Sequence, residues 1–134
     1  MKYIFSSSLL FAAIINALLS CTKHRGDIEE HIPVATINFF SPVASSIYHS
    51  GDSVTIKATA ISTETIHGYD VVIKRSNDIT KLFFQHVHDH NDTLLINQKW
   101  KNTVTAPANM EVQVILYLDH EGHTGTKKAV FKVQ

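Results

Sequence analysis

Residues 53–61 read Ser-Val-Thr-Ile-Lys-Ala-Thr-Ala-Ile, and this stretch decides the fold. Apolar side chains occupy every second position from Val54 to Ala60, and polar side chains stand between them. Because neighbouring residues of a β-strand point to opposite faces, this alternation predicts an antiparallel strand with one face in a core and the other in water. The preceding Ser50-Gly51-Asp52 supplies the turn that opens the strand.

The same two-residue period recurs along the rest of the chain, and no segment of this part shows a convincing helical period. Seven antiparallel strands in about 100 residues are typical of an Ig-like β-sandwich, with fibronectin-type and jelly-roll sandwiches as alternatives. The predicted strands cover residues 34–40, 53–61, 66–75, 79–88, 93–100 with a ragged continuation over 103–106, 110–118 and 126–133.

Composition excludes several classes of protein. The 134 residues allow one domain with a tail, and 44% of them are hydrophobic, as in a globular protein. The 12 Lys+Arg residues balance 12 Asp+Glu residues, so the chain lacks the positive charge that nucleic-acid binding requires. A single cysteine excludes an internal disulfide framework and any multi-cysteine metal site.

The N-terminal segment has the organisation of a secretory signal. A positive start at Lys2 precedes an apolar run over residues 9–19, which is too short for a membrane-spanning helix of about 20 residues. The run ends in Leu18-Leu19-Ser20-Cys21, which resembles the lipobox of bacterial lipoproteins. This resemblance implies that residues 1–20 are removed, that Cys21 is acylated, and that residues 21–32 tether a domain over residues 33–134 to a membrane.

Two turns resemble those of Ig-like modules in envelope lipoproteins of the Bacteroidetes type. Ser41-Pro42 followed by Gly51-Asp52 resembles the opening of such modules, and residues 117–124 resemble their last hairpin, although His123 stands where Asn is usual. The resemblance implies a non-enzymatic interaction or structural module on a lipid anchor, with the outer membrane as its expected location and an unidentified protein or glycan as its partner. Its periplasmic or surface orientation stays open.

The histidines are the most unusual chemistry of the chain. His86, His88 and His90 alternate, so a strand would place them on one face about 6.6 Å apart, with about 13 Å between the outer two Cα atoms. A straight strand thus offers two ligands to one ion, whereas a loop over residues 87–92 would bring all three rings together. A second predicted group flanks the last hairpin and consists of Asp119, His120 and His123. Imidazole and carboxylate ligands without thiolate suit Zn(II), Cu(II) or Ni(II). A solvated loop without a metal is the alternative.

Glycan binding and enzymatic activity are two further functions that individual residues can indicate. Tyr117 lies out of phase with the core positions of its strand, and together with Trp100 it is a candidate aromatic platform for a glycan. No Gly-x-Ser-x-Gly nucleophile turn occurs, and the sequence therefore predicts no enzyme.

Overall fold

The computed structural model describes residues 31–134, which form a sandwich of eight strands without a helix. The signal peptide over 1–20, the acylated Cys21 and the tether up to residue 30 lie outside the described residues and stay predictions. In the part that is described, no helix is long and apolar enough to cross a membrane. The strands are β1 (Ala35–Ser41), β2 (Ile47–Tyr48), β3 (Ser53–Ile66), β4 (Gly68–Arg75), β5 (Lys81–Val87), β6 (Asn91–Lys101), β7 (Ala108–Tyr117) and β8 (Thr124–Val133).

The strands form two sheets. The first contains three strands in the order β1-β3-β6, and the second contains five in the order β2-β8-β7-β4-β5. Neighbours pair antiparallel except β2, which pairs parallel with β8. The all-β sandwich predicted from the alternation is confirmed, and so is the run of core residues in β3.

Two details of the sequence prediction were wrong. The strand β2 was missed because two residues are too few to show a period. Residues 103–106 continue no strand, since the Val104 amide turns to donate a hydrogen bond to Asn102 Oδ1 at 2.9 Å. The strand β4, which lies between β5 and β7, is buried on both faces: on its outward face Asp70 and Val72 are 7% and 4% exposed.

The two sheets meet through their alternating apolar faces. Each fully buried aliphatic side chain stabilises the fold by about 1.5–3 kcal/mol relative to its exposed state. The largest fully buried residues come from both sheets: Ile56, Ile66, Ile73, Leu94, Ile96, Met110, Leu116 and Phe131. This shared core accounts for a sandwich that needs no disulfide.

The register of β4 places three loops side by side at one end of the second sheet. Gly68 at the start of β4 pairs with Tyr117 at the end of β7, and Tyr69 pairs with Val87 at the end of β5. The turn before β4, the loop after β5 and the hairpin after β7 are therefore neighbours. We call this end, formed by residues 66–68, 88–90 and 118–123, the histidine end.

Candidate functional site

The centre of the histidine end is the turn at His67 and Gly68. Gly68 has a φ of +138°, and a Cβ atom on it would lie 2.6 Å from the carbonyl oxygen of Val87. Only glycine permits this close approach between the start of β4 and the end of β5. On the other side, the His67 amide donates a hydrogen bond to the Tyr117 carbonyl at 2.7 Å. The backbone thus fixes His67 between the loop after β5 and the hairpin after β7.

Four imidazole rings pack against one another there. The ring centroid of His67 lies 4.2 Å from that of His120 and 5.0 Å from that of His90. The His90 ring also lies 4.5 Å from the His88 ring, and the Nε2 atoms of these two residues are 2.8 Å apart. We call His67, His88, His90 and His120 the tip histidines. The last three are exposed and His67 is half-buried, so solvent reaches the cluster.

His67 carries an unusual polar atom. Its Nδ1 is buried and has no hydrogen-bond partner, a costly arrangement for a nitrogen that can donate or accept. Burial lowers the pKa of His67, and the neighbouring His120 and His90 lower it further because a second positive charge would be repelled. Asp119 acts in the opposite direction. The lowered pKa favours the neutral form of the His67 ring, and the neutral form of an imidazole is the one that binds a metal ion.

Only some of the histidines that the sequence predicts as metal ligands come together in the structure. His88, His90 and His120 come together, although they belong to two groups far apart in sequence. His86 does not join them, because it lies within β5 with its ring against Asp70, whereas His88 and His90 lie in the loop that follows β5. The sequence interpretation missed His67 altogether, since a lone histidine at the start of a strand becomes notable only when the strand register is known.

Asp119 organises the hairpin after β7. Its Oδ1 accepts hydrogen bonds from the amides of Glu121, Gly122 and His123 at 2.9, 3.0 and 2.9 Å, and its Oδ2 pairs with His123 Nδ1. Burial alone would raise the pKa of Asp119, but the hydrogen bonds from His123 and Glu121 outweigh it and lower the pKa to about 2. The carboxylate therefore stays ionised and holds the turn that carries His120.

A tighter group of possible ligands lies in the same hairpin. Among residues 31–134, the group whose ligand atoms all lie within 4.8 Å of one another consists of Asp119, Glu121 and His123, and the tip histidines do not reach this mutual spacing. The hydrogen bonds of Asp119 within its own turn account for this proximity. The predicted ligands His123 and Asp119 are thus brought together, but as a hydrogen-bonded pair inside the hairpin.

His86 belongs to a separate polar group on the outer face of the second sheet. Its Nδ1 lies 2.7 Å from Oδ1 of the buried Asp70, and the Tyr117 hydroxyl donates to the other oxygen of Asp70 at 2.6 Å. The hydrogen bond to Asp70 and burial raise the pKa of Tyr117. These contacts hold Asp70 in a row across β5, β4 and β7.

The proposed aromatic platform is not present as predicted. Trp100 is 5% exposed and belongs to the core, so its ring offers no open face to a sugar. Tyr117 is half-buried, and its hydroxyl is bound to Asp70. A glycan site built on these two residues is inconsistent with their burial.

The fold has distant counterparts among solved structures. The fibronectin(III)-like modules of CbhA from Clostridium thermocellum are similar to 73% of this chain, at 16% identity, 94% coverage of that chain and a TM-score of 0.49. A CARDB domain from Pyrococcus furiosus, solved in complex with di-metal ions, is similar to 76% of the chain, at 9% identity, 94% coverage of that chain and a TM-score of 0.45. No protein-family model matches the chain, and no curated protein matches it.

Proposed function

We propose that this protein is a lipid-anchored, non-enzymatic module of a bacterial cell envelope that binds its ligand through the histidine end. The observation that carries the binding role is the meeting of four imidazole rings from three loops at that end. Loops at the end of a rigid sandwich are a common place for binding residues, since the sheets fix their positions.

The lipid anchor is supported by the sequence Leu18-Leu19-Ser20-Cys21 after a short apolar run. Three acyl chains on one cysteine would hold the protein stably, because each buried CH2 group contributes about 0.8 kcal/mol. The outer membrane is the proposed location.

The anchor is tested by mass spectrometry of the membrane fraction from cells that express the full chain. We expect an N-terminal peptide that begins at Cys21 and carries a thioether-linked diacylglycerol and an N-acyl chain. A Cys21→Ser variant is the matched control and should leave the membrane fraction. A free thiol at Cys21, or a peptide that retains residues 1–20, would contradict the anchor. For the anchored protein, protease treatment of intact cells distinguishes the surface from the periplasmic face of the membrane.

A further inference from the structure

We infer that the tip histidines His67, His88, His90 and His120 form a binding site for one divalent transition-metal ion of the Zn(II), Cu(II) or Ni(II) class. The inference deepens the proposed function, since it names the ligand of the histidine end. It does not depend on the lipid anchor, because every residue involved lies in the sandwich.

The first two ligands are almost in place. Two imidazole nitrogens bound to one ion at 2.0–2.1 Å with a tetrahedral angle are about 3.3 Å apart. The Nε2 atoms of His88 and His90 are 2.8 Å apart, so a separation of about half an ångström admits the ion. Both rings stand on an exposed loop of three residues between β5 and β6, which can make this small change without disturbing a strand.

His67 and His120 are the third and fourth ligands of the inferred site, and the His67 ring lies next to the His90 ring. The His67 ring contacts the His90 ring nearly edge to face at an interplanar angle of 86°, and it also contacts the His120 ring at an interplanar angle of 53°. A rotation of these side chains about χ1 and χ2 brings them from packing beside one another to facing a common ion. Such a rotation would also give the buried Nδ1 of His67 the partner that it lacks.

The donor atoms of the tip histidines determine which metal ions the site should bind. Four imidazole ligands without a thiolate favour borderline divalent ions over soft Cu(I) and over hard Ca(II) or Mg(II). Asp119, the residue before His120, places an acidic side chain near His67, which favours a cation over an anion. Affinity should follow the general order in which Cu(II) exceeds both Ni(II) and Zn(II).

The test is isothermal titration calorimetry with Zn(II), Cu(II) and Ni(II) salts on the chain from residue 21 to 134 with Cys21→Ser. We expect one ion per chain. His90→Gln and His120→Gln should each weaken binding at least about tenfold, since even partners of a metal ligand contribute 10- to 100-fold. His49→Gln at the opposite end and His86→Gln beside Asp70 are matched controls and should bind as the unaltered chain does. Circular dichroism of each variant establishes that it is folded.

Three results would overturn the site. The first is an unaltered chain that binds no more than the variant with all four tip histidines changed to Gln. The second is a loss of binding in His86→Gln as large as that in His90→Gln. The third is loss in Glu121→Gln but not in His90→Gln, which would assign the ion to the acidic hairpin. Because the titrated chain lacks the anchor, none of these results bears on acylation of Cys21, and a failure of acylation leaves the metal site untouched.

Discussion

Asn102 and His67 lie at opposite ends of the sandwich and differ in how their polar atoms are bonded. Asn102 is 1% exposed, and its backbone amide and carbonyl are both hydrogen-bonded within the protein. Its side-chain amide donates to the His49 carbonyl and its Oδ1 accepts from the Val104 amide, both at 2.9 Å. At the histidine end, the His67 ring contacts other imidazoles and its Nδ1 has no partner. Asn102 closes its end of the sandwich with its own hydrogen bonds, whereas His67 leaves one ring nitrogen for a ligand.

The largest expected effect comes from Gly68, which brings the loops of the histidine end together. A Gly68→Ala change should destabilise the fold by about 3 kcal/mol, because alanine is strained at a φ of +138° and its Cβ meets the Val87 carbonyl at 2.6 Å. Urea denaturation followed by circular dichroism measures the loss. Gly122→Ala is a useful control, since it shares a positive φ of +101° but no atom lies within 4 Å of its Cβ. Equal losses in the two variants would show that the contact with Val87 does not matter.

Asn102 tests the closed end. An Asn102→Ala change should cost about 2 kcal/mol of stability, since it removes two side-chain hydrogen bonds and leaves the buried Val104 amide without a partner. Metal affinity should not change in this variant. His90→Gln is the counterpart at the other end. Because the His90 side chain is exposed, this change should alter the free energy of unfolding by no more than about 0.5 kcal/mol, while metal binding weakens at least about tenfold. If His90→Gln were the more destabilising of the two, the histidine end would be structural and the contrast between the ends would be wrong.

The smallest expected effect is an acid sensitivity of the hairpin at Asp119. Its folded pKa of about 2 lies below the ordinary value of 3.8, so the folded state binds fewer protons than the unfolded state in this range. The stabilisation is complete above about pH 4 and is lost as the pH falls towards 2. Urea midpoints of the unaltered chain and of Asp119→Asn should differ at pH 5 and converge near pH 2. A difference that is constant over this range would assign no role to the charge of Asp119.

The sequence predicted those parts of the fold that depend on local alternation. Val54 and Ile56 in β3 and Val112 and Val114 in β7 are buried as their spacing requires. The burial of Asp70 could not be read in this way, because it depends on which strands flank β4, and its partners His86 and Tyr117 are 16 and 47 residues away.

The candidate site shows the same limit. The alternation of His86, His88 and His90 predicted possible metal ligands in the loop after β5. The spacing alone favoured a placement of all three rings on one face of a strand. His86 lies within β5, whereas His88 and His90 follow the end of this strand at Val87. The position of His67 among them follows from the pairing of Gly68 with Tyr117 and of Tyr69 with Val87. This register depends on three strands together and cannot be predicted from the sequence of any one of them.

The central claim is that the tip histidines bind one metal ion together. Its most direct test is long-range ¹H–¹⁵N correlation NMR of the imidazole rings, recorded before and after addition of one equivalent of Zn(II). The account predicts that one ring nitrogen in each of His67, His88, His90 and His120 shifts to a metal-bound value, while the rings of His49 and His86 keep theirs. Unchanged nitrogen shifts in all four tip histidines, or the same shift in His49, would contradict it.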